Sequence, residues 1–402
     1  MSIIPKKLLL CLLLMGSVIC FDLKDLIAAG STGTSGADFL EIGVGSRPLG
    51  MGEAFTAMTG DINAIYYNPA GLGTMKYPTL SIMHQELILD SRFENISVAF
   101  QPVEDMNGFL GISNSVFWVP PFEKIDIEGN ETGKVYFYNA SGVMAYGYSF
   151  GFVEVGGSFK YIYQKIDTLT LHSYAADVGI LKRLYMYSPF ETHLRNFALG
   201  MSVQNIGTKA KDDPLPRLVR LGTSYYLTKW MVFNVDMIES LIESSDLYDF
   251  TYGFQESFRM NTGVEFTYMD ILSLRTGYRF NDAGTYSFGM GFNYQVQNVG
   301  FNVDASYSDA GVFGPTYSFT VGFKLMLKVI TMEDKQMAEK YYQEGIRFYI
   351  NDNIDAAIEA FEKCRDYNRY HKNVRQKIKD LEELRRLKKE NEKIEKELKE
   401  KS

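Results

Sequence analysis

Residues 286 to 294 read Tyr-Ser-Phe-Gly-Met-Gly-Phe-Asn-Tyr, and this stretch decides the fold. Tyr286, Phe288, Met290, Phe292 and Tyr294 recur at every second position, with Ser287, Gly289, Gly291 and Asn293 between them. A period of two is that of a β-strand, whose successive side chains point to opposite faces. One face is wholly apolar and the other small or polar, so the strand separates hydrocarbon from something wetter. Phe197, Leu199, Met201 and Val203 alternate with Ala198, Gly200 and Ser202 in the same manner. So do Val299, Phe301 and Val303 against Asn302 and Asp304.

Outward from that stretch, the texture runs from Tyr77 to about Lys328 in some fourteen segments. They start near residues 77, 92, 107, 134, 152, 171, 196, 216, 230, 256, 270, 284, 298 and 316. An even number of antiparallel strands returns both ends of a closed barrel to one side, as bacterial outer-membrane barrels require. Such barrels also alternate short periplasmic turns with long external loops. The breaks at Phe150-Gly151, Thr228-Lys229, Met269-Asp270 and Gln297-Asn298 are short. The stretches Val119 to Gly133, Ile206 to Pro214, Glu239 to Gln255 and Asp309 to Pro315 are long. Asp90-Ser91 and Tyr185 to Arg195 are out of step, which leaves the count good to within two strands. A soluble β-sandwich also alternates, but its strands are usually shorter. The fold expected is an all-β transmembrane barrel of about 14 antiparallel strands over residues 77–328, with both termini periplasmic.

The N-terminus prepares the chain for export. Two lysines within Met1 to Lys7 precede an apolar run from Leu8 to Ile19, and charge returns at Asp22. That run of about twelve residues suits a signal peptide over residues 1–20 and falls short of a spanning helix. Val18-Ile19-Cys20 and Ala28-Ala29 are both imperfect cleavage sites, so cleavage is placed between residue 20 and about 29. Cys20 also makes a poor lipobox, with Ser17 and Ile19 where leucine and a small residue belong. No later stretch holds about eighteen consecutive apolar residues, so any membrane residence is through strands.

The 402 residues carry 14% aromatics within an apolar total of 46%. The enrichment is thus in Phe and Tyr, residues that barrel walls and interfacial girdles use. The net charge of −8 is dispersed, with a basic cluster only in the tail, so nucleic acid is not an expected partner. Of three cysteines, Cys11 and Cys20 fall in or beside the leader, which leaves Cys364 and no disulfide framework. His84, His172, His193 and His371 stand apart without ligand spacing, so no metal is expected. There is no Gly-x-Ser-x-Gly elbow, and Gly43 to Gly52 lacks a P-loop lysine. Neither an enzyme nor a cofactor has a residue to stand on.

After Lys328 the alternation stops and helix formers take over. Residues 333–402 are read as a periplasmic helical tail. Within 338–371, the spacing of Tyr341, Gly345, Phe348, Ala357 and Phe361 suits a helix-turn-helix with Asp352 and Asn353 at its turn. It resembles one tetratricopeptide repeat, whose uncovered apolar face must meet either the following charged helix or a protein partner.

Residues 31–76 are Gly-rich and not strand-like, with helix-capable pieces around Glu53 to Met58 and Asp61 to Tyr67. Asn68-Pro69-Ala70-Gly71 suits a fixed turn in which Pro69 sets φ, Gly71 admits positive φ and the Asn68 amide bonds backbone. In this setting the phrase resembles the hatch of FadL-type long-chain fatty-acid transporters, which plugs a fourteen-strand outer-membrane barrel. The longer run with Arg47-Pro48-Leu49-Gly50-Met51-Gly52 is similar to the PorV/PorQ-like branch of that superfamily and its spirochaete paralogues. The resemblance covers about residues 37 to 328. It implies that Asn68, Pro69, Ala70 and Gly71 are the hatch motif and that Arg47, Pro48, Gly50 and Gly52 lead into it. It also implies passage of a hydrophobic, fatty acid-like molecule past the hatch and sideways into lipid. Arg275, Arg279, Asn293, Asn302 and Asp304, on inward faces, either line a ligand route or pair within a filled lumen. The expected function is uptake of long-chain fatty acids or similar hydrophobic molecules. The alternative is a PorV-like component that binds or shuttles secreted proteins, its tail docking a periplasmic partner.

Overall fold

The computed structural model describes residues 35–402, except 103–106, 127, 191, 193–194, 212, 242–257, 281–283, 310–313, 326–331, 369–370, 372–373 and 402. The leader expected over residues 1–20, Cys20 and His193 lie outside the described residues.

Fourteen strands close into one antiparallel barrel, each paired with its neighbours in sequence and β1 with β14. They are β1 (Thr79–Glu86), β2 (Arg92–Phe100), β3 (Gly108–Ile125), β4 (Glu131–Ser149), β5 (Glu154–Ile166), β6 (Leu169–Leu184) and β7 (Phe197–Gly207). β8 (Leu218–Thr228), β9 (Met231–Ser240), β10 (Phe258–Tyr268), β11 (Leu272–Phe280), β12 (Thr285–Val296), β13 (Val299–Asp309) and β14 (Pro315–Leu325) complete it. A closed sheet leaves no edge and satisfies every ladder hydrogen bond internally, which is the form in which strands can cross hydrocarbon. Along β12 the alternation is literal. Phe288 and Met290 are 55% and 56% exposed on the outside, while Ser287 between β11 and β13 is wholly buried. Among the described residues no helix is long and apolar enough to cross a membrane.

The first rim is where β1 begins and β14 ends; the second rim is opposite. The expected long connection from Val119 to Gly133 is instead mostly strand. β3 and β4 stay paired to Ile125 and Glu131, with a register shift between Val119 and Phe122. The bulge absorbs Pro120 and Pro121, which cannot donate to a regular ladder.

Ahead of β1, the chain runs through the lumen as a plug. It contains α1 (Ser46–Gly50), α2 (Ala64–Tyr67) and a 3₁₀ turn over Pro69–Thr74. The helix expected around Glu53 to Met58 is absent and the first helix lies earlier. Gly52 and Glu53 both have φ near +62°, which breaks any helix entering that piece. Gly36 N–H donates to Pro214 O in the β7–β8 link, so the plug starts at the second rim and descends to the first. The two barrel ends do share a rim. The first described residues lie at the other one, where Gly36 meets the β7–β8 link.

The tail holds α3 (Met332–Ile350), α4 (Ile354–Tyr367) and α5 (Val374–Lys401). Asn353 caps α4 by accepting from Ala356 N–H at 3.2 Å, and Asp352 takes φ +57° at the turn. A Cβ on Gly345 would sit 2.9 Å from the Phe361 ring, so α3 and α4 touch closely there. Ala357 and Phe361 are buried in a core that Val374, Ile378 and Leu381 of α5 complete, with Tyr341 and Phe348 packed on its edge. The face left open by two helices is thus covered by the third. Arg183 on β6 and Arg195 reach Glu333 of α3 at 3.2 and 3.4 Å, tying the tail to the first rim.

Candidate functional site: plug and vestibule

The plug touches the wall through glycine. Cβ atoms added at Gly111, Gly147, Gly156, Gly200, Gly263 and Gly277, one each on β3, β4, β5, β7, β10 and β11, would collide with plug atoms. Ile65, Pro69, Thr56 and Met51 are among the groups they would strike. Small residues on the lumen face are therefore the imprint of the plug, admitting backbone where a side chain would stand.

Hydrogen bonds and ion pairs then fix it. Asp236 on β9 accepts from Phe55 N–H, Thr56 N–H and the Thr56 hydroxyl at 2.9, 2.9 and 2.6 Å. Asn234 Nδ2 donates to Ala54 O at 2.7 Å, and Ser202 Oγ to Tyr67 O at 2.9 Å. Arg47 bridges Asp61 of the plug and Glu265 of β10, which is also held by Arg275. Arg275 continues to Asp304 on β13, whose second oxygen takes the Asn302 amide.

The motif residues now have physical tasks. Asn68 Oδ1 accepts from Ala70 N–H at 3.1 Å, capping the 3₁₀ turn, and its Nδ2 donates to Thr56 O at 2.9 Å and to Ile180 O of β6 at 3.2 Å. Pro69 opens the turn and Ala70 is fully buried. Gly71 has no positive φ, contrary to expectation; a Cβ there would lie 2.8 Å from the Ala64 Cβ, so it is small for lack of room. Arg47 is in the ion network and Pro48 lies buried within α1. A Cβ on Gly50 would meet Gly289 Cα at 2.8 Å, and Gly52 pairs positive φ with contact against Tyr278 N.

Four of the five inward polar residues, Arg275, Asn293, Asn302 and Asp304, line one cavity of mixed character and about 610 Å³ at the first rim, together with Arg47, Asp61 and Lys324 and with Met269, Ile271 and Phe301. Arg279 is elsewhere, its Nη1 2.7 Å from Glu53 of the plug. Asp236, Asn234 and Glu265 were missed by sequence reasoning. Their signal was available, because polar and ionisable groups on the inward face of spanning strands need partners.

At the second rim a different cavity, of about 460 Å³, opens between plug residues 35–42 and β3 to β6. Phe39, Ile42, Phe117, Phe137, Ile166 and Leu171 wall it. Phe39 and Ile42 also border a slot of about 20 Å³ deeper in, among Leu40, Val44, Ile65 and Phe93. That slot has room for about one water molecule, so the apolar path is closed at the plug. Among the described residues no group of three His, Cys, Asp or Glu stands together as a metal site.

A fourteen-strand barrel closed by its own N-terminal segment, with a largely apolar vestibule above the closure, defines a plugged membrane barrel. A model of the Uncharacterised protein family (UPF0164) matches residues 29–329, and the chain belongs to that family. A UPF0164 protein of Treponema pallidum (strain Nichols) is 23% identical over 373 residues, covering 83% of this chain and 82% of the relative. Among solved structures, the toluene transporter TbuX of Ralstonia pickettii superposes with a TM-score of 0.50 at 11% identity, covering 70% of this chain and 98% of its own. The P. putida toluene transporter TodX gives 0.49 at 10% identity, covering 72% of this chain and 99% of its own. The likeness to TbuX is one of fold.

Proposed function

We propose that this protein is an outer-membrane channel through which small hydrophobic molecules pass from the vestibule at the second rim, around a displaced plug, toward the wall. The observation that carries the reading is the largely apolar vestibule narrowing at Phe39 and Ile42 to a closed slot, where Leu40, Val44, Ile65 and Phe93 stand beside Lys160 and three serines. An apolar pocket gives molecules that water rejects a favourable place to enter, while a plug bonded to the wall blocks polar solutes. TbuX, of like fold, is named a toluene transporter. By length in sequence, the second rim joins its strands through 208–217 and 241–257 while the first has 185–196 as its one link of that size, a balance that favours an external second rim and a periplasmic first rim. On this reading residues 31–76 are the hatch, 77–328 the barrel and 333–402 a periplasmic tail with one tetratricopeptide-like hairpin. Asn68, Pro69, Ala70 and Gly71 serve as the hatch motif. The PorV-like alternative draws no support from the tail, whose hairpin face α5 already fills. The test is uptake of radiolabelled toluene and of a long-chain fatty acid by cells with and without the gene. Slower uptake of either in the deletion strain is expected, and normal uptake of both overturns the proposal.

A further inference from the structure

The vestibule walls are apolar but not uniform. Asn139 on β4 and Gln164 on β5 also line the cavity, and they are direct partners across the β4–β5 pairing. Only 3% and 6% of their surfaces are exposed, and the carbonyl oxygens Asn139 Oδ1 and Gln164 Oε1 have no hydrogen-bond partner. Opposed residues on one face of a strand pair have Cβ atoms about 5 Å apart, so two side-chain amides whose oxygens are unpaired stand side by side in the wall. Buried acceptors without donors are unfavourable, and a ligand that brings a donor relieves both the wall and itself.

The charges around the cavity point the same way. Its ionisable lining residues are Asp38 and Asp213, and no Lys, Arg or His lines it among the described residues. The cation of the slot beneath, Lys160, is engaged by Asp177 at 2.9 Å and Asn205 at 2.7 Å. A carboxylate placed here would lose its hydration, find no cation, and stand near two acidic side chains.

Resting on the channel reading above, we infer that the vestibule selects neutral amphiphiles that carry a hydroxyl donor on an aromatic or alkyl body, and rejects the matching carboxylates. Asn139 and Gln164 accept from the hydroxyl, while Phe39, Phe117 and Phe137 hold the body. A hydrocarbon lacking the hydroxyl fits the walls but leaves the acceptors unpaired.

The test measures binding of 1-naphthol, naphthalene and 1-naphthoate to the full chain in lipid nanodiscs, with empty nanodiscs as background. Naphthol is expected to bind about tenfold more tightly than naphthalene, with naphthoate weakest. Asn139→Leu combined with Gln164→Leu should bring naphthol down to the naphthalene level and leave naphthalene binding intact. If the double variant does not give a folded, heat-modifiable band, Gln164→Met alone should remove part of the preference. Naphthoate binding as tightly as naphthol, or a preference that survives these substitutions, overturns the inference. Naphthalene binding without a naphthol preference overturns it while leaving the channel reading in place. Failure of all three probes to bind overturns both.

Discussion

The Asp236 carboxylate takes both the backbone N–H of Thr56, at 2.9 Å, and its hydroxyl, at 2.6 Å. A strand residue in the wall thereby does for the plug what a cap does for a helix, and Phe55 N–H adds a third bond. Hydrogen bonds to a buried charge are worth roughly 1.5–3 kcal/mol each and are not additive. Asp236→Ala should therefore loosen the plug by about 3 kcal/mol or more while the barrel, closed by its own ladders, still folds. Protease cleavage within residues 53–58 of the reconstituted barrel reads this out. Wild-type protection in the variant would sink the idea that Asp236 holds the plug.

Glycines at the wall supply a sharper contrast. A methyl group on Gly277 would strike the backbone of Met51 and Gly52, whereas on Gly142 it would meet nothing within 4 Å. Overpacking of this kind costs about 1–3 kcal/mol, which for a barrel of this size lowers a thermal midpoint by roughly 5 °C. Gly142→Ala should shift it little and Gly277→Ala downward, as read from the temperature at which the folded gel band converts. Equal midpoints would mean that Gly277 is not there for the plug.

Much of this molecule was legible in its sequence, and the parts that were not share a cause. Every strand starts within three residues of the position read from alternation, because a strand between lipid and lumen must alternate. The β3–β4 extension hid behind Pro120 and Pro121, since a proline pair reads as a loop unless a bulge absorbs it. The plug conformation was opaque at Gly52 and Glu53, where positive φ is set by contacts with β10 and β11 rather than by local propensity. Arg275 and Arg279 look alike in sequence, four residues apart on one face of β11. They have different partners because the plug presents Glu53 only to the latter. The vestibule was illegible, as its walls come from four strands and the plug.

The network Asp61–Arg47–Glu265–Arg275–Asp304 links plug to wall through alternating charges. Breaking a buried pair from one side strands its partner and costs about 3–5 kcal/mol. Arg47→Met and Glu265→Gln should each destabilise in urea unfolding, and the double variant should cost clearly less than their sum. Additivity to within about 0.5 kcal/mol would show that the two side chains do not interact.

Cys364 is fully buried between α3, α4 and α5, and the rest of the chain's cysteines, Cys11 and Cys20, precede the described residues. Burial, with the Glu339 carboxylate adding to it, pushes the thiol up to about 11. An exposed thiol titrates near 8.5, so the folded tail binds this proton more tightly than the unfolded tail does. The raised value means that this contribution to tail stability is full below about pH 8.5 and is lost as pH rises through about 11. In a chain that begins after Cys20, a maleimide should leave Cys364 unlabelled at pH 7. Labelling should appear at urea concentrations that leave the barrel band folded, and it should need less urea at pH 10. Because α3 to α5 form their own core, removing residues 332–402 should leave the barrel's heat-modifiable migration unchanged. Rapid labelling of the native chain at pH 7 would show that α5 does not cover the α3–α4 hairpin, and the hairpin would then be free to take a partner.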